Sequence, residues 1–515
     1  MAKASKIRAS KQAYISPSQL VLEGFETPFA NKLDAKNRWV QLAHRIPWDS
    51  IVSIYEDQMR NSVTGASNIN ARVVLGCIII KHMCGFSDEE TILQIQENMY
   101  MQYFIGYSSF SNDTPFDSSL FVEIRKRLGV EQLNAINNKI VELSTATAAK
   151  EKATTEKNKN DDHDNRQQSS SNDLSENLLQ EKKEQEEIKT HDGRLLVDAT
   201  ACPQEIAYPT DLNLLNDSRM KSEELLDLLY NSSLHGKKKP RTYREEGRKV
   251  YLTTAMKKNK SRKEIRKAIR KQLNYLKRNL NHIDNLHRPY KGQTPLNERQ
   301  QIYLAVIKEL YVQQRKMYDE KTHSIEDRIV SIHQPYVRPI VRGKQKAKVE
   351  FGAKIQLSLV GGYAFLDVLS WDAFNEGTTL LLAIENHKQR TGYYPAEVLA
   401  DKIYCNRSNR VRLKEMRIRL LAKPLGRPPA VKTEHISPGE RNPIEGKFGQ
   451  GKSAYGLGKI KARLKDTSQS WIASIILVLN LVKLAGQVPF CIMRNLLEKF
   501  VQLLNAKNKR SLLFQ

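Results

Sequence analysis

Apolar residues recur along this chain in more than one rhythm. From Val73 to Met83 they run almost without interruption up to Gly85, the pattern of a buried helix closed by a glycine. Ser87-Asp88-Glu89-Glu90 then has the arrangement of a capping box, and Ile92, Ile95, Met99 and Phe104 follow at near-helical spacing. Pro115 stands near another helix start, with Phe116, Leu120, Phe121, Ile124 and Leu128 on one face and Arg125, Lys126 and Arg127 crowding its end. Residues 1–145 are expected to form a helical N-terminal domain. Short helices with tight turns fit a helix-turn-helix-like unit and a plain packing domain alike.

The pattern stops at residues 146–190. This stretch is nearly devoid of aromatics and rich in Ser, Asn, Gln and mixed charge. It cannot bury enough apolar surface to offset the entropy of ordering, so a disordered linker is expected. Strand character follows at once. Arg194 to Thr200 is a short apolar run with Asp198 at its end, and residues 354–360 and 363–369 flank Gly361-Gly362, a two-residue hairpin signal. Leu380 to His387 reads as a helix, and Glu397 to Asp401 as a short strand that again ends in an acid. The expected fold class is mixed α/β, a sheet flanked by helices, built from residues 191–219 and 331–485.

Residues 220–330 interrupt that sheet. Ile265, Ile269, Leu273, Leu276, Leu280 and Ile283 recur every three or four positions, and Leu304, Ile307, Leu310 and Tyr311 suggest a second helix returning beside the first. A basic helical insertion is expected, its apolar stripes forming a seam and its charged backs facing solvent or a polyanion. Trp471 to Val482 is the longest apolar run, a dozen residues that include Asn480. It is too short to span a bilayer and reads as a buried helix. Residues 486–515 are expected to form a C-terminal helix or tail.

Charge sharpens this picture. The chain has 515 residues, 83 Lys and Arg against 57 Asp and Glu, and a net charge of +26. Lys237 to Lys291 holds 20 basic residues against 4 acids, and Arg407 to Lys465 holds 16 against 4. An excess so concentrated marks surfaces for a polyanion. The five cysteines (Cys77, Cys84, Cys202, Cys405 and Cys491) are scattered and odd in number, which argues against a disulfide framework or a structural zinc site. The basic start lacks the apolar core of a signal peptide, so a reducing cytoplasmic setting is expected.

Asp198 and Asp401 share a context: each ends an apolar strand and begins a loop. A third acid, Glu445, lies between Arg441 and Lys452 in a segment whose offsets of four and seven share neighbouring helix faces. Asn442, Pro443 and Glu445 also suit a helix start, with Asn442 as the cap and Glu445 as its capping-box partner. Three carboxylates flanked by cations suit phosphodiester chemistry, in which two divalent ions clamp the attacking and leaving oxygens. Asp367, Asp211 and Asp217 are competing acids, the last two better suited to turn or cap roles.

Together these residues resemble the DDE transposases of bacterial insertion sequences, whose catalytic domain is RNase H-like. Asp198 and the following Ala207 to Arg219 look like the first acidic motif of that family. Val349 to Lys354 and Trp371 to Glu376 are similar to its central segments, Leu399-Ala-Asp401 to its second acid, and Arg441, Glu445 and Lys452 to its Arg–Glu–Lys signature. The Tyr that usually stands three residues before the Arg is Pro438 here. The N-terminal region also looks like the helical DNA-binding or assembly domain that precedes the core in these proteins.

The resemblance implies that Asp198, Asp401 and Glu445 bind two Mg²⁺ or Mn²⁺ ions. It implies that Arg441 and Lys452 hold DNA phosphates, and Lys354 is a further candidate for that role unless it is an outward-facing surface lysine. The implied partners are double-stranded DNA, both terminal inverted repeats and target, and further copies of the chain in a homodimer or higher oligomer. The implied setting is the bacterial cytoplasm at the nucleoid, with no membrane. A related nuclease without strand transfer and a non-catalytic DNA-binding derivative are the alternative readings. An RNA-binding role is disfavoured, because aromatics are 7% of the chain and no stacking platform interleaves the basic runs.

Overall fold

The computed structural model describes residues 25–27, 32–59, 69–143, 145, 190–341, 349–423 and 438–486. The expected linker and C-terminal tail lie outside these residues, except for Thr190 and Gly486. The N-terminal part forms α1 (Arg38–Arg45), α2 (Trp48–Met59), α3 (Ala71–Cys84), α4 (Asp88–Glu97), α5 (Met99–Ile105), α6 (Leu120–Arg127) and α7 (130–143). α3 is buried on every side, Arg72, Lys81 and His82 included, and Gly85 closes it in the left-handed conformation at φ 72°. The Ser87 hydroxyl accepts from the Glu90 amide to start α4. Arg125, one of the basic trio at the end of α6, is buried: both its Nη atoms lie 2.8 Å from the Asp88 carboxylate.

One mixed sheet organises the rest, as the α/β reading expects. Its strands are β1 (Arg194–Pro203), β2 (Arg338–Val341), β3 (Val349–Val360), β4 (Tyr363–Ser370), β5 (Glu397–Ala400) and β6 (Arg419–Leu421). β3 pairs with β1 along one edge and with β4 and β2 along the other, and β5 and β6 continue beyond β1. β3 alone runs against the others. The β3–β4 hairpin turns at Gly361 (φ 55°) and Gly362 (φ 81°), a backbone that two glycines adopt without strain.

The two faces of the sheet bury different partners. Leu195 and Val197 of β1 pack with Leu380, Ala383 and Ile384 of α12 (Leu380–Thr391). The alternate residues of β3, Ile355, Leu357 and Leu359, join the core of the long apolar helix α15 (Lys465–Ala485). That core is continuous with the N-terminal helices. Among the described residues α15 is the helix long and apolar enough to cross a bilayer, but it is largely buried in protein.

Asn480, the polar residue inside that apolar run, has a definite task. Its side chain accepts from the Ala364 amide at 2.8 Å and donates to the Ala364 carbonyl at 2.7 Å and to Asn137 Oδ1 at 2.8 Å. Asn137 and Asn134 of α7 donate to the carbonyls of Ala364 and Leu366. Three asparagines therefore satisfy the free edge of β4, which would otherwise expose buried backbone groups.

The interruption between β1 and β2 is helical, as its stripes predict. It contains α8 (Asp211–Leu229), α9 (Arg244–Ala255), α10 (Arg262–His287) and α11 (Glu298–Glu320), which share a core of their own around Leu273, Leu276, Ile283, Ile307 and Leu310. α8 runs unbroken through residue 219 and contributes Leu214, Leu215, Leu225 and Leu226 to this core.

Candidate active site

Asp198 lies in the middle of β1 and not at its end. The strand continues to Pro203 because β3 stays paired with it as far as Gly352. β5 pairs with β1 only up to Val197–Ala400, so from Asp198 that edge of β1 is open until the Ile460 amide meets the Pro203 carbonyl at 2.8 Å. A cleft of about 600 Å³ occupies that opening. Asp198, Lys354, Asp401, Arg441, Glu445 and Lys452, all singled out from the sequence, line it together. Glu376 lines it as well.

Each acid arrives by a different route. Asp401 directly follows β5, and its Oδ1 accepts from the Lys402 amide at 2.7 Å. Glu445 stands in the first turn of α14 (Asn442–Ala454). The capping box expected there is not formed: Asn442 is already helical, and Arg441 precedes the helix without a side-chain cap. The Arg441 guanidinium instead turns to the acids. Nη2 lies 3.1 Å from Asp198 Oδ2, Nη1 lies 3.2 Å from Asp401 Oδ1, and Glu445 is 3.9 Å away.

Burial divides the acids. The Asp198 side chain is 15% exposed, against 53% for Asp401 and 59% for Glu445. Burial pushes the Asp198 carboxyl up to about 6, with Glu376 and Asp401 adding to the rise. The Ala199 amide and Arg441 oppose it. As they stand, no three acidic, His or Cys groups among the described residues are grouped for one metal ion. Arg441 occupies the space between the carboxylates.

Lys354 is not an outward-facing surface lysine. It is 14% exposed, and its ammonium lies 2.9 Å from Glu376 and 2.8 Å from the Phe374 carbonyl. The competing acids lie elsewhere. The Asp367 side chain is buried against Arg390 at 3.1 Å, Asp211 pairs with Arg328 at 2.7 Å, and Asp217 is exposed on α8. None of the three lines the cleft. Sequence reasoning missed two groups here, Glu376 and the buried Tyr404, whose hydroxyl is pushed up by burial and by Glu376, Asp198 and Asp401. The signal available for Glu376 was its place at the end of the Trp371 to Glu376 segment.

Two parts of the chain match transposase domain models: residues 398–482 match a transposase DDE domain, and residues 28–127 match the transposase domain DUF772. The resemblance to the DDE transposases of insertion sequences is thereby borne out, and the DDE match spans Asp401, Arg441, Glu445 and Lys452. The chain is also 27% identical over 214 residues to an uncharacterised protein, ORF8 in the nfe locus of Rhizobium meliloti, covering 40% of this chain and 81% of that protein. No solved structure gives a significant match.

Proposed function

We propose that the protein is a transposase that cleaves DNA strands at the ends of a mobile element and joins the freed 3′-OH to target DNA. The observation that carries this reading is the meeting of Asp198 and Asp401 on one guanidinium, with Glu445 beside it, at the open edge of β1. The strand order, with β3 alone reversed, supports an RNase H-like core.

The site suits two Mg²⁺ or Mn²⁺ ions. Its donors are carboxylate oxygens, which these hard cations prefer, and Asp198 and Asp401 already converge on one positive group. When bound, such ions activate the attacking oxygen and neutralise charge on the leaving one. Asp198, Asp401 and Glu445 would hold them. Arg441 would exchange its carboxylate partners for DNA phosphates, with Lys452 and Lys354 holding further phosphates on the cleft walls. Asp198 would bind such an ion as its carboxylate, and burial, which raises its pKa, makes a proton compete for that place.

Double-stranded DNA, as terminal inverted repeats and as target, is the proposed substrate. Holding two ends together calls for a homodimer or larger assembly. The protein would act at the bacterial nucleoid. Incubation with labelled element ends, target plasmid and Mg²⁺ tests the reading. Joined 3′ ends support it, and cleavage without joining would reduce it to a nuclease.

A further inference from the structure

We propose that Glu376 is a positioning residue, one that fixes Lys354 on the wall of the cleft opposite Arg441. The inference rests on the phosphodiester-transfer reading of this cleft. β1 and β3 alternate their side chains between the two sheet faces. Ile355 and Leu357 join the α15 core, so Lys354 belongs to the α12 face, whereas Arg441 and Glu445 come from α14, whose Ile444 and Phe448 pack into the α15 core. A phosphate in the cleft would thus meet one cation from each face.

Lys354 is held more firmly than a salt bridge alone requires. Its ammonium is bound by Glu376 at 2.9 Å and by the Phe374 carbonyl at 2.8 Å, and it lies 4.8 Å from the centre of the Phe374 ring. Two of its three N–H groups are thereby used, leaving one for a phosphate oxygen.

The turn that carries Glu376 is itself anchored. Asn375 accepts from the Gly377 amide at 3.0 Å, and Gln356 on β3 bonds the Thr379 carbonyl at 3.1 Å and the Thr379 hydroxyl. Asn409 of α13 (Arg407–Glu415) donates to the Gly377 carbonyl at 2.7 Å and to the Tyr404 carbonyl at 2.9 Å. Gly377 lies so close to the Asp401 loop that a Cβ there would come within 2.8 Å of the Ile403 carbonyl oxygen. The Glu376 turn and the loop that begins at Asp401 are one docked unit, so the Lys354 ammonium keeps a fixed place relative to a catalytic acid.

The test uses the full chain and two readouts. Amine acylation followed by mass spectrometry measures how available Lys354 is, without requiring activity. Glu376→Gln should speed Lys354 acylation about 10-fold or more, as expected for loss of a charge-assisted hydrogen bond. Duplex DNA should protect Lys354 in the wild type. In single-turnover strand cleavage, Glu376→Gln and Lys354→Gln should each slow the reaction, and the double variant should be no slower than the worse single one.

Unchanged acylation in Glu376→Gln, or multiplicative losses in the double variant, would overturn the proposal. So would loss of the Mn²⁺-induced rise in Tm in Glu376→Gln, which would make Glu376 a metal ligand. If the wild-type protein cleaves nothing while acylation responds as expected, the fault lies with the transposase reading and not with the Glu376–Lys354 pair.

Discussion

Arg441 Nη2 lies 3.1 Å from Asp198 Oδ2, across a gap of more than two hundred residues in sequence. The most buried acid of the cleft therefore shares a cation with Asp401, supplied by the residue just before the helix that bears Glu445. Arg441 balances the carboxylates, and on the proposed function it would turn to phosphate when other cations take its place.

Arg441→Ala should separate these roles. Removing the competing cation should leave Mn²⁺ binding as strong as in the wild type or stronger, read as the Mn²⁺-induced rise in Tm. DNA cleavage should fall by about 100-fold, the scale of removing a charged donor from beside a reacting phosphate. Loss of the Mn²⁺ response together with cleavage would contradict the assignment.

Asp198 should make stability depend on pH in a defined direction. Its pKa rises from 3.8 unfolded to about 6 folded, so the folded state binds more protons between those values. Stability from this group is full below about pH 4 and is lost as pH rises through 6. Asp198→Asn should therefore be more stable than the wild type at pH 8, by up to about 2 kcal/mol, with the gain shrinking toward pH 4. Urea unfolding at the two pH values checks this, and a pH-independent difference would contradict it.

Asn480→Ala should loosen the closed edge of β4. The Ala364 amide and carbonyl would each be deprived of their Asn480 hydrogen bond, at a cost of roughly 2–4 kcal/mol. Combining it with Asn137→Ala should cost less than the two separate losses together, because the side chains share a hydrogen bond at 2.8 Å. Strict additivity in urea titrations would argue against the shared network.

Lys267, Arg270, Lys271 and Lys277 of α10 are exposed and form no ion pair among the described residues, whereas Arg266 is bound to the Tyr318 carbonyl and Arg278 lies over the Tyr243 ring. If these four face DNA backbone, changing them to Gln should flatten the dependence of log affinity on log salt by about 0.9 for each phosphate no longer neutralised. An unchanged slope at unchanged Tm would assign the stripe to solvent.

Much of this was legible before the structure, and the reasons are physical. Gly361-Gly362 marked its hairpin because only glycine takes two successive positive φ values at no cost. That Asp198, Asp401 and Glu445 would meet in one cleft was suggested by two acids in the same strand-to-loop context and a third between cations. What the sequence hid depended on pairing across long distances. Nothing local indicated that β3 would carry β1 past Asp198 to Pro203, which moves that acid from the strand end to an open edge. Nor did the Asn442 motif reveal that Arg441 would prefer carboxylates to a capped helix start. Glu376 escaped because it stands in a turn after β4, while its partner, Lys354, lies on β3.

The central claim, that Asp198, Asp401 and Glu445 act together on DNA, is tested most directly by Asp401→Ala. Asp401 is half exposed and follows its strand, so the variant should fold normally. With labelled element ends and Mg²⁺, it should bind the ends as the wild type does and yield no cleaved strand. Full cleavage by Asp401→Ala would contradict the account.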